Sequence, residues 1–139
     1  MLAASFWSLT LLTCGFAVAF GGRDGRLFAL LFFASVLLTM PALLVGSWQG
    51  TQLWLTIVDT ALLVALIWLM LQSSSYWPIW AAASQLLTVL THAATLLLQT
   101  FSERIYEGLS TVWVIPLLLF TLIGIELDRK ARHDRAYTA

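Results

Sequence analysis

Five apolar stretches, at residues 3–20, 27–45, 53–71, 79–98 and 109–125, fill most of this 139-residue chain. Each is close to the ~20 residues a helix needs to cross the hydrocarbon core of a bilayer. The segments between them are short and, with the end of the chain, hold most of the charge. A chain that is 60% hydrophobic and 10% charged cannot cover the surface of a soluble domain with polar side chains, since soluble domains are roughly a quarter charged. The sequence therefore predicts an all-α integral membrane protein: one domain over residues 1–139, built as a bundle of five transmembrane helices and ending in a tail at 126–139.

Charge orients the bundle. With five spans, the first loop, the third loop and the tail share one side. That side collects Arg23, Arg26, Arg129, Lys130, Arg132 and Arg135, and leaves only Arg104 opposite. The positive-inside rule makes it cytoplasmic and places the N-terminus outside. A four-span arrangement would destroy this asymmetry. Tryptophan, which gathers at membrane interfaces, fits the same scheme. Trp7, Trp48, Trp54 and Trp113 fall near the outer interface, and Trp68, Trp77 and Trp80 near the inner one. Gly21-Gly22, Gly46 and Gly50 bound spans, and Pro78 lies in the first turn of the fourth. Pro41 and Pro116 lie inside spans two and five, where prolines kink membrane helices without ending them.

One polar hairpin interrupts the apolar pattern. Span four carries Gln85, Thr88, His92, Thr95 and Gln99, spaced three and four apart and so on one helix face. Span three carries Gln52, Thr56 and Asp59 on one face by the same rule. In an antiparallel hairpin, residues at equal depth have position numbers of constant sum. Asp59 with His92, Thr56 with Thr95 and Gln52 with Gln99 share one sum, which centres the turn at Ser75–Tyr76. A polar ladder then runs ~10 Å into the bilayer at 1.5 Å per residue. A lone carboxylate or imidazolium there costs at least ~2.5–3.5 kcal/mol unless paired or hydrated. Asp59 and His92 are thus expected to share a proton or an ion pair. Two readings follow: a proton-responsive polar site open to the outside, or a buried hydrogen bond that fixes the register of two helices.

The remaining features carry less. Gly15 with Ala19, and Ala61 with Ala65, are small-residue pairs suited to close helix packing. Glu103, Arg104 and Glu107 read as a solvated loop cluster, too poor in oxygen ligands for calcium. Glu126 to Lys130 and Asp128 to Arg132 are acid-first i, i+4 pairs of a helical tail. Cys14 is the only cysteine, so neither an internal disulfide nor a cysteine-based metal site can form. Leu12-Thr13-Cys14 makes a poor lipoprotein box with no basic residue before it, so the first stretch reads as a retained span. The nucleophile-elbow, zinc-protease, phosphate-loop and dinucleotide patterns are all missing. The chain therefore reads as no enzyme, with no cofactor, no metal site and no nucleic-acid partner.

The run Tyr76-Trp77-Pro78-Ile79-Trp80, followed by Gln85-Leu86 and His92, resembles a pattern in small uncharacterised multi-span membrane proteins of alphaproteobacteria. The resemblance covers the third loop and fourth span. It implies that Trp77, Pro78, Trp80, Gln85 and His92 matter together, and it attaches no activity to them.

The sequence favours a non-enzymatic accessory or structural subunit of a larger complex in a bacterial inner membrane. Its partners would be the lipid bilayer and other membrane subunits, or further copies of itself. The alternatives are a small proton-responsive transporter or channel using the Asp59–His92 pair, and a holin-like membrane protein.

Overall fold

The apolar stretches form five helices in a computed structural model that describes residues 2–41, 47–98 and 103–137. They are α1 (Leu2–Phe20), α2 (Gly22–Thr39), α3 (Trp48–Gln72), α4 (Trp77–Leu98) and α5 (Glu103–Tyr137). Among the described residues there is no strand.

The helices are longer than the apolar runs, because caps and charges at their ends are compatible with helix. The expected loop at 21–26 shrinks to Gly21: α2 begins at Gly22, whose φ of +60° lets the chain reverse at once. α3 begins at Trp48 instead of residue 53, since Ser47 caps it by accepting from the Gly50 N–H at 3.2 Å. α5 begins at Glu103, so the stretch expected in a loop opens a helix. Pro41 does not kink a continuing helix. α2 ends at Thr39, and Met40–Pro41 form a short 3₁₀ turn, as befits a residue that blocks further α-helix. Pro116 does lie inside α5. Residues 42–46 and 99–102, including Gln99 and Gly46, lie outside the described residues. So do the side chains of Trp48, Glu103, Arg104, Glu107 and Arg135.

Each helix packs on the next in chain order, and α1 packs on α5, so the five close into a ring. α1 and α5 run parallel: Arg132 of α5 donates to the carbonyl of Phe20, the last residue of α1, at 3.2 Å, and the Arg129 guanidinium lies 5.0 Å from the Phe20 ring centroid. The helical tail thereby puts positive charge against the C-terminal end of α1. It does so without its expected ion pairs: Glu126 bonds Arg129 at 2.8 Å, not Lys130, and Arg132 is turned to Phe20, not Asp128. The Glu126 hydrogen bond holds the exposed Arg129 above its ordinary guanidinium range.

Close approach falls at unexpected glycines. A Cβ on Gly124 would lie 2.0 Å from Cβ of Trp77, and one on Gly25 2.5 Å from the carbonyl oxygen of Ala17. Gly15 and Ala19, expected to pack, face outward with open space around Gly15. Trp77 is no interfacial anchor either; it is buried edge-on against Phe28, with ring centroids 5.6 Å apart.

Among the described residues two helices are long and apolar enough to cross a membrane, over Gln49–Gln72 and Trp77–Leu97, and Phe6–Phe20 is a shorter apolar helix. α2 takes in Arg23, Asp24 and Arg26 at its start, which dilutes its apolar run. The outer surface of the ring is apolar, with Leu11, Leu30, Ile57, Val64, Leu71 and Leu90 all exposed. In α3 only 22% of the apolar window is buried. The core helix of a soluble protein would show the reverse.

Candidate functional site

The polar residues turn inward where the apolar ones turn out. Gln52, Gln85, Thr88, His92 and Thr95 are all buried, and Thr56 is half-buried. At their centre lies Asp59. Its Oδ2 is 2.7 Å from His92 Nε2, a distance that places a shared hydrogen between the two atoms. Its Oδ1 accepts from Gln85 Nε2 at 2.9 Å, and the same amide reaches the Asp59 main-chain oxygen at 3.2 Å. The carboxylate is therefore clamped from both sides by one helix, two turns apart.

The stagger follows from where the helices end. α3 stops at Gln72 and α4 starts at Trp77, so the turn is centred slightly before Ser75–Tyr76, and the level of Asp59 falls between Gln85 and His92. Equal-depth counting pairs Asp59 with His92 but overlooks Gln85 as the second partner.

The rest of the expected ladder has no cross-links among the described residues. Thr56 donates to the Gln52 carbonyl at 2.8 Å and Thr95 to the Thr91 carbonyl at 2.8 Å. A hydroxyl four residues beyond a free lone pair on its own helix needs no neighbour. Gln52 Nε2 is buried without a partner, as are the hydroxyls of Thr10 and Thr13. Gln99, the expected partner of Gln52, lies outside the described residues.

Asp59, Gln85, Thr88 and His92 line a central cavity of about 170 Å³ to which all five helices contribute. α1 supplies Phe6, α2 supplies Ser35 and Thr39, and α5 supplies Val114. His92 is 3% exposed and Asp59 20%, so the carboxylate is the group that the cavity leaves reachable. Ser35 and Thr39 were not singled out from sequence, although two hydroxyls at i, i+4 within an apolar run are a usable signal. Two further cross-links were also missed. Trp113 Nε1 donates to Thr91 Oγ1 at 3.1 Å, and Ser73 Oγ donates to Asp24 Oδ2 at 2.5 Å. Which residues of α2 and α5 turn inward depends on their rotation in the ring.

No group of three or more His, Cys, Asp or Glu side chains converges among the described residues. The chemistry on offer is therefore one carboxylate, one imidazole and a set of hydroxyl and amide groups, suited to holding or passing a proton. Comparison with protein-family models, with curated proteins and with solved structures gave no match.

Proposed function

We propose that the chain is a five-span membrane protein of a bacterial inner membrane, with the N-terminus outside and the tail cytoplasmic, and that it is a small proton-linked transporter or channel. One observation carries this reading: a carboxylate held between His92 and Gln85 faces a cavity inside a ring whose outside is apolar. Ring closure through α1 and α5 favours it over the subunit reading that the sequence ranked first, because all five helices of this one chain line the site. Arg23, Arg26, Arg129, Lys130 and Arg132 belong to the same end of the bundle, which supports the orientation.

The test is reconstitution into liposomes containing a pH-sensitive dye. An imposed proton gradient should relax faster with the protein than without it, and Asp59→Asn should remove the difference. Equal rates for empty, wild-type and variant vesicles would refute the reading.

The subunit reading keeps one observation of its own. Between α4 and α5 an outward groove of about 350 Å³ is lined by Tyr76, Trp80, Phe120, Ile123 and Leu127. A partner helix would fit there, and extraction in mild detergent at native abundance should then yield a particle heavier than this chain and its copies. A particle containing only this chain excludes it.

A further inference from the structure

Half of the side chains lining the central cavity are polar, and what they turn to it is mostly hydrogen-bond acceptors. Ser35 spends its hydroxyl hydrogen on the Phe32 carbonyl at 2.7 Å, Thr39 on that of Val36 at 2.6 Å, and Thr88 on that of Ser84 at 3.3 Å. The Gln85 amide and His92 Nε2 are both directed at Asp59. What the hydroxyls offer the cavity is lone pairs. A carboxylate has about four acceptor positions, and Asp59 uses two on these side chains, so it adds more. The Gln85 side-chain oxygen is a further acceptor.

A wall of acceptors selects a guest that donates. We infer that this cavity is a binding site for a small cation bearing N–H groups: ammonium or a short primary amine. The inference rests on the proton-linked reading and names the substrate class of that site. Size agrees. The ion is close to a water molecule in volume, about 30 Å³, so a cavity of about 170 Å³ holds it with a few waters or a short alkyl group. An alkali ion would meet the same oxygens without giving an N–H, so sodium is the control that separates a donor from a bare charge. A quaternary ammonium has no N–H to give.

The same geometry links binding to the shared proton. Among the lining residues Asp59 on α3 and His92 on α4 are the only titratable side chains; α1, α2 and α5 contribute none. A cation beside Asp59 competes with the proton of the Asp59–His92 bridge for one carboxylate. When His92 is the imidazolium, entry of the cation favours loss of one imidazolium proton, leaving neutral imidazole: one charge in, one out. Affinity falls as pH is lowered.

The experiment measures the thermal unfolding midpoint of the purified protein in detergent micelles. Ammonium, methylammonium, sodium and tetramethylammonium chlorides are titrated at constant ionic strength and at several pH values. A saturable rise with ammonium and methylammonium alone is expected, weakening toward acid pH. Asp59→Asn should abolish it. Thr88→Val removes one acceptor from the wall and should weaken apparent affinity about fivefold, the equivalent of one ~1 kcal/mol hydrogen bond. This second variant stands in if Asp59→Asn does not fold. No saturable effect in the wild-type protein, an equal effect of sodium or tetramethylammonium, or an unchanged ammonium affinity in Thr88→Val would overturn the inference. The liposome assay contains no amine, so Asp59-dependent proton flux without ammonium binding sinks this inference and leaves the proton-linked reading standing.

Discussion

The two ends of the bundle solve the same packing problem in opposite ways. Around Phe28, Leu66, Leu69, Trp77, Leu118 and Ile125 the interior is apolar and buried, and Gly124 lets α4 and α5 approach until a single added carbon would collide with Trp77. Around Asp59 the interior is polar, and a cavity remains where five helices fail to fill the axis. In a bilayer the apolar end gains nothing from hiding hydrocarbon from lipid, so close contact and shape must hold it. The polar end is held by hydrogen bonds that lipid cannot replace. On the function proposed above, one end stays shut and the other admits a small polar guest.

Gly124→Val breaks the comparison most severely. A side chain where a Cβ already lies 2.0 Å from Trp77 must push α4 from α5, and should cost about 3 kcal/mol, the upper range for overpacking. Unfolding of the purified protein by a graded denaturing detergent measures it, and an unchanged midpoint would show that the apolar end is loosely held. Next comes the polar end. Asp59→Leu leaves the Gln85 amide only the main-chain oxygen and takes the carboxylate from His92, and should cost about 2 kcal/mol. Replacing Asp59, Gln85 and His92 together by leucine should cost less than the single change, because the polar groups that served one another go together. If the triple variant is the least stable, the cluster holds the fold by more than its mutual hydrogen bonds.

Smaller effects sharpen the picture. Trp113→Phe keeps the ring and deletes the hydrogen bond to Thr91, for an expected loss of about 0.6–1.7 kcal/mol, the range of interhelical hydrogen bonds in lipid. Smallest is Arg132→Gln, which removes an exposed contact to the Phe20 carbonyl. It should cost about 0.5 kcal/mol and make the α1–α2 corner more open to protease. Cleavage there at the wild-type rate would show the tail contact to be idle.

Much of this was legible because hydropathy and helical spacing are local properties. The positions of the helices, the shared face of Gln85, Thr88 and His92, and the pairing of Asp59 with His92 all follow from counting along the chain. Helix ends were not legible, because Ser47 and Gly22 start helices before the apolar runs begin, by capping and by a left-handed turn. Gln85 as the second partner of Asp59 was hidden for another reason. Equal-depth counting gives each residue one partner, whereas Asp59 lies between two turns of α4 and meets both.

By itself the sequence determined that the chain is helical and apolar, where it breaks, and that one carboxylate and one histidine meet in its third and fourth helices. Only the tertiary structure decided that α1 closes on α5, that Ser35 and Thr39 join the wall around Asp59, and that Trp77 turns inward to seal one end. The periodicity of a helix says which residues share a face. It cannot say which way that face turns when lipid and protein interior are equally apolar, and there packing and the few available hydrogen bonds make the choice.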